Sequence, residues 1–214
     1  MQDEITTEAI ETPVATIQTF FTKELPRVFK ALFANPVTGL LPFWKSSTRS
    51  NAVPVAAVYL AVFLFYAVGA FLFAGEMREY LDGSVYFRIA LIPLLLMALI
   101  SGIIFGIKAL LGKGDFNTEL LTGVFVAIPL AIVIPGLFVV RLLTPDNIIS
   151  LLMNPGSGGA MGLLLFCYVF LLLVSIVFQS LKSVNTNATF AWYVSPAVIG
   201  IAFYLATRIS LLLA

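Results

Sequence analysis

LLGKGDFNTELLTGVFVAIPLAIVIPG, from Leu110 to Gly136, decides how the chain is read. A short charged turn with Lys113, Asp115 and Glu119 releases one long apolar run and feeds directly into another. The second run carries Pro129 and Pro135 at its centre. An α-helix rises ~1.5 Å per residue, so about 20 apolar residues cross the ~30 Å hydrocarbon core of a bilayer. Both runs are that long. The spacing predicts two helices crossing in opposite directions about a tight turn.

Working outward, the same criterion gives five spans: 52–75, 89–111, 120–140, 162–181 and 188–213. The first holds no charge, and Lys108 sits near the end of the second, where its stem can snorkel. Strands of a membrane barrel would alternate over ~10 residues; these runs are continuous. The fold class is therefore all-α, a polytopic five-helix transmembrane bundle.

Composition agrees. The 214 residues are 60% hydrophobic and 11% charged, with mean hydropathy +1.04. Soluble domains carry about 25% charge, so the apolar excess has to face lipid. A net charge of +1 offers no basic field for nucleic acid. Cys167 is the single cysteine, so no internal disulfide forms. Histidine is absent, which excludes His-ligated metal or haem and Ser-His or Cys-His catalysis. No cofactor is expected.

The chain opens MQDEITTEAIE, too acidic for a cleavable signal, so the first span is expected to direct insertion. Residues 1–14 read as a disordered acidic lead and 15–50 as a cytosolic amphipathic or interfacial segment preceding the membrane domain, 51–214. Ile17, Phe21, Leu25, Val28 and Leu32 recur every third or fourth position, one helical face, with Lys23, Arg27 and Lys30 opposite. Such a helix lies in the headgroup layer or packs on the ends of the bundle. Pro26 either kinks it or starts a second helix, and Asn35-Pro36 ends it. Phe43 and Trp44 read as interface aromatics. Lys23, Arg27, Lys30, Phe43 and Trp44 are thus the candidate membrane-surface contacts.

Basic residues in short loops set orientation. Eight fall on the N-terminal side and four (Arg78, Arg88, Arg141, Arg208) on the other, which places the N-terminus in the cytosol and the C-terminus outside. Between spans three and four, Thr144-Pro145-Asp146 reads as the start of a short outer helix over Ile148 to Met153, ended by Asn154-Pro155 and GSGG.

Candidate chemistry is sparse. Neither GSGG nor LGKGD has the spacing of a phosphate loop, and Ser157 has no histidine to take its proton. Asp115 and Glu119 are one helical turn apart; they bind a cation, relay protons or complement the helix dipole. Pro93, Pro129, Pro135 and Pro196 mark broken transporter helices or are simply tolerated inside spans. No ionisable group falls at mid-span, where coupled transporters place them. Tyr59, Tyr66, Ser101, Tyr168, Ser175, Gln179, Ser195 and Tyr204 suit helix-to-helix hydrogen bonds instead. Ala98, Gly102 and Gly106 form a smooth face on span two for a second helix, of this chain or of another copy, which keeps a homo-oligomer open.

ANPVTGLLPFW (Ala34 to Trp44), LLGKGDFNTELLTGVFVAIP (Leu110 to Pro129) and SLKSVNTNATFAWYVSP (Ser180 to Pro196) resemble the Yip family, the Ypt/Rab-interacting membrane proteins and their bacterial relatives. The resemblance covers roughly Phe33 to Tyr204. Asn185, Thr186 and Asn187 replace the basic or histidine residues often seen after span four, and the long polar N-terminal domain of eukaryotic members is not seen. The resemblance implies a non-enzymatic integral protein with no catalytic residue to carry over. Its short form reads as the bacterial type, in the inner membrane, to which the eukaryotic GTPase partnership does not extend. The expectation is a protein that organises the bilayer or other membrane and cytosolic proteins, with Lys113, Asp115 and Glu119 as its partner-facing turn. The alternative is a small permease or channel with a path among spans two, three and five. An enzyme acting on lipid has no nucleophile–base pair to draw on.

Overall fold

The computed structural model describes residues 13–46, 52–143, 157–184 and 186–213. Among them every regular element is helical: α1 (Pro13–Thr19), a π-turn (Phe20–Glu24), α2 (Leu25–Ala34), α3 (Leu41–Ser46), α4 (Ala52–Ala74), a 3₁₀ turn (Gly75–Glu79), α5 (Gly83–Leu110), α6 (Phe116–Leu143), α7 (Ser157–Lys182) and α8 (Ala188–Leu212). The five from α4 to α8 are long and apolar enough to cross a membrane. The chain is an all-α integral membrane bundle. The expected lead lies mostly outside the described residues, although α1 begins at Pro13, a residue suited to a first helical turn. The expected outer helix at Ile148 to Met153 also lies outside them.

Around the bundle the spans run α4, α6, α7, α8, α5, with α5 and α6 touching across the middle. α6 is the hub: 61% of its span is buried, against 28% for α4. α5 and α6 have 28 residues each, about 42 Å of helix, so a turn or more of each projects past the hydrocarbon. The α5–α6 and α7–α8 turns lie at the same end, here called the turn end.

Helix packing in lipid gains little from apolar burial and relies on close approach and hydrogen bonds. Gly123 shows the first. A β-carbon there would lie 1.9 Å from Tyr59 Oη and 2.7 Å from Ser101 Oγ, so only glycine lets α4, α5 and α6 converge. Tyr66 shows the second: its Oη donates to Leu130 O at 2.7 Å, in the stretch where Pro129 and Pro135 lack amide protons. Pro93, Pro129, Pro135 and Pro196 all lie inside continuous helices, which favours the tolerated reading over broken ones.

The amphipathic segment is interrupted rather than one regular α-helix. Pro26 has no amide hydrogen and crowds the carbonyl four residues back. The preceding turn widens in response, with Leu25 N–H reaching Phe20 O five residues away. Asn35 then ends α2, its Oδ1 accepting from the amides of Val37 and Thr38. Val28 and Leu32 are buried in the core, so this half of the face packs on the bundle. Lys23, Arg27 and Lys30 remain exposed.

Candidate functional site

Lys108, Glu119, Thr122, Gln179 and Ser180, buried polar side chains of three spans, gather at the turn end. α5 stops there in a Schellman cap: Gly112 takes φ +69°, its N–H bonds to Ala109 O at 2.9 Å, and Lys113 N–H bonds to Lys108 O at 2.9 Å. α6 starts from Asp115, whose carboxylate accepts from Asn117 N (3.2 Å) and Thr118 Oγ1 (2.6 Å). Lys108 is thus one turn before the reversal and Glu119 one turn after it. Antiparallel packing brings them face to face.

Lys108 Nζ lies 2.5 Å from Glu119 Oε1, and both side chains are about 1–2% exposed. The other two ammonium protons go to Ser180 Oγ (2.9 Å) and Ser183 Oγ (3.2 Å) on and just after α7. Glu119 Oε2 accepts from Thr122 Oγ1 (3.0 Å) and Ser180 Oγ (3.1 Å). Ser183 Oγ passes its own proton to Ser180 O at 2.7 Å. An ammonium has three donors and each hydroxyl one, so the accounting closes. Every proton of the cluster is placed, and both carboxylate oxygens are occupied.

The N-terminal segment is tied into the same cluster. Trp44 is 6% exposed; its Nε1–H donates to Thr122 Oγ1 at 3.1 Å, and its ring meets Phe125 edge-on at 5.0 Å. Fully buried Gln179 accepts from Leu40 N (2.8 Å) and donates to Pro36 O (2.6 Å). Ser175 Oγ also donates to Pro36 O. Leu40 and Trp44 are therefore buried in the mouth of the bundle, while Pro36, Val37, Thr38 and Pro42 of the same stretch stay exposed. Outside it, Lys113 Nζ donates to Val184 O at 2.9 Å, locking the two turns together.

Several expectations change here. Lys108 does not snorkel; it turns inward because an anion and two hydroxyls await it. Glu119 does not face partners, since it is spent on Lys108, whereas Asp115 and Lys113 do lie exposed on the turn. Trp44 is not an interface anchor: its indole N–H finds a buried acceptor, and Phe43 packs beside it, 6.2 Å from the Phe125 ring. Ala98, Gly102 and Gly106 face outward, and no described atom lies within 4 Å of a β-carbon built at Gly102 or Gly106. No described helix of this chain uses that face. Thr122, Ser180, Ser183 and Lys108 went unrecognised as a set. The available signal was a Lys and a Glu, each one turn from a common reversal, with a Ser-x-x-Ser pair at the matching end of α7.

The chain matches no known family profile, no curated protein and no solved structure. Physical reasoning alone bears on its role. The ion pair is held on every side: Glu119 Oε2 accepts twice and Oε1 once, from an ammonium whose other two protons are also placed. What it does is fix three spans and the N-terminal segment in one arrangement.

Proposed function

We propose that this chain is a non-enzymatic membrane protein of the Yip type that organises partner proteins or lipid from its turn end, with the N-terminus in the cytosol. One observation carries the reading: the buried ion pair of Lys108 with Glu119 is consumed in a closed cluster rather than aimed into a wet cavity. Two cavities beside α6 are lined by apolar residues alone. α6 and α8 pack mainly on α5 and α7 rather than on each other, which gives a route among α5, α6 and α8 little support. The locked pair of turns, by contrast, offers partners a rigid exposed surface that includes Lys113, Asp115 and Asn117.

Two experiments test this. A photo-crosslinking residue at Asn117 should give discrete protein adducts in the native membrane, while one at lipid-facing Leu164 should give lipid adducts only. Identical adducts from both positions would remove the partner reading. In proteoliposomes, no protein-dependent flux should cross a proton gradient. A flux that Glu119→Gln abolishes would promote the permease. Reporter fusions bear on orientation: activity outside the cytosol is expected after Ala214, and inside at Gly114.

A further inference from the structure

We propose that the groove between α4 and α6 is a binding site for an acyl chain of an anionic phospholipid, with the N-terminal segment as its third wall. The claim rests on the five spans and not on any protein partner. It therefore stands or falls separately from the function proposed above.

The groove has a volume of about 580 Å³, and all its lining residues are apolar. Its cause lies in side-chain size. On the inner faces α4 and α6 close tightly, at Gly123 against Tyr59 and at Gly69 against Ile134. On the outer faces Ala61 and Ala131 are too short to meet, and both stay exposed. Phe65 and Pro135 also line a second cavity of about 330 Å³ that continues to Leu72 and Phe138. The two form one slot. Along α4 it runs from Val58 to Leu72, about 21 Å of helix rise, and one leaflet's share of the hydrocarbon is about 15 Å. An extended chain fits its length.

The occupant follows from position and charge. At this depth the surrounding medium is lipid tail. A second protein helix is about 10 Å across, too wide for a slot whose entrance is already crossed by Phe21, Leu25 and Phe29. Those three recur every fourth residue and point into the slot from the α1–α2 segment. On the same stretch Lys23, Arg27 and Lys30 are exposed, with Glu24 the single described acid among them, 3.8 Å from Arg27, so the stretch keeps a net positive charge. A cationic segment crossing the mouth of an apolar slot selects a lipid with a negative headgroup. Phe21 and Leu25 keep the same side across the π-turn, as residues four apart do in a regular helix.

The test is lipid retention by the full chain. Protein purified in mild detergent should keep a phospholipid per chain by native mass spectrometry, predominantly anionic. Ala131→Trp, which fills the slot, should lower retention roughly tenfold, whereas Leu164→Trp on the open lipid face should leave it unchanged. Replacing Lys23, Arg27 and Lys30 with Gln should keep the lipid but erase its headgroup preference, roughly fivefold per charge. Lipid-free wild type, or equal retention by Ala131→Trp, overturns the site. So does a wild-type dimer that Ala131→Trp dissociates, because the occupant is then a second copy. Should Ala131→Trp fail to fold, a chain-spin-labelled anionic lipid on wild type gives the answer. An immobilised component displaced by unlabelled anionic but not zwitterionic lipid supports the site, and its absence refutes it.

Discussion

The two sides of α6 solve opposite problems. At the turn end, four buried polar side chains (Lys108, Glu119, Thr122, Ser180) and the half-buried Ser183 cluster, and each proton finds an acceptor. Along the α4 side, apolar side chains line a slot that the described residues leave open. The bundle tolerates an apolar gap because lipid fills it at little cost. It does not tolerate an unpaired charge, since an uncompensated ion costs several kcal/mol. Rigidity is thus concentrated where polar groups lie, and adaptability where they do not. The opposite ends differ as well. Near the start of α5, Tyr86 Oη and Arg88 Nε are buried without a described partner, so saturation belongs to the turn end and is not a property of the whole fold.

The sharpest way to break this comparison is to remove half of the ion pair. Lys108→Met leaves Glu119 buried with only two hydroxyl donors. It should cost ~3–5 kcal/mol, read as a large drop in the detergent-resistant melting midpoint. Lys108→Met with Glu119→Leu should recover most of that loss, because two apolar side chains need no partners. A double variant as unstable as the single would mean that the cluster contributes something beyond charge compensation. A single variant as stable as wild type would mean that Glu119 is not held in a dry site.

The spans were legible because lipid imposes a one-dimensional rule: about 20 apolar residues in a row, whatever their neighbours. Asp115 at a helix start and the irregularity at Pro26 were legible too, because both are local. The cluster was not. A lysine near a span end can extend to water or fold inward, and hydropathy scores both alike. The deciding partner, Ser180, is 72 residues away on α7. Trp44 was misplaced for the same reason. An aromatic beside a span reads as a belt residue until the acceptor for its N–H is known, and Thr122 lies 78 residues further on. Ala98, Gly102 and Gly106 show the converse. Small residues signal that a helix could approach, and they carry no information on whether one does.

A smaller effect separates the packed side of the bundle from the open one. Gly123→Ala places a methyl group against Tyr59 Oη and should cost ~1–3 kcal/mol through overpacking. Tyr59→Phe, which removes that oxygen, should recover part of the loss. Gly102→Ala meets nothing within 4 Å and should be neutral, or stabilising by up to ~1 kcal/mol from helix propensity. Comparing the three midpoints in one detergent gives the result. Equal losses at positions 123 and 102 would mean that α5 is covered in solution, most simply by a second copy.

The smallest expected effect concerns how the N-terminal segment is held. Trp44→Phe keeps an aromatic ring against Phe125 and deletes one donor, while Thr122 Oγ1 still donates to Glu119. One neutral hydrogen bond is worth about 0.5–1.5 kcal/mol net, so the global midpoint should move little. Local opening is more sensitive, since a segment can detach while the spans stay folded. Residues 36–44 are also held by Gln179 at Leu40 and Pro36 and by Ser175 at Pro36, which leaves three polar attachments where there were four. Amide hydrogen exchange should quicken by roughly threefold to tenfold in α2 and α3 and stay unchanged in α5 and α6. Faster exchange in all helices alike would place Trp44 in the global core. Unchanged exchange everywhere would mean that the ring, and not its N–H, seats the segment in the mouth of the bundle.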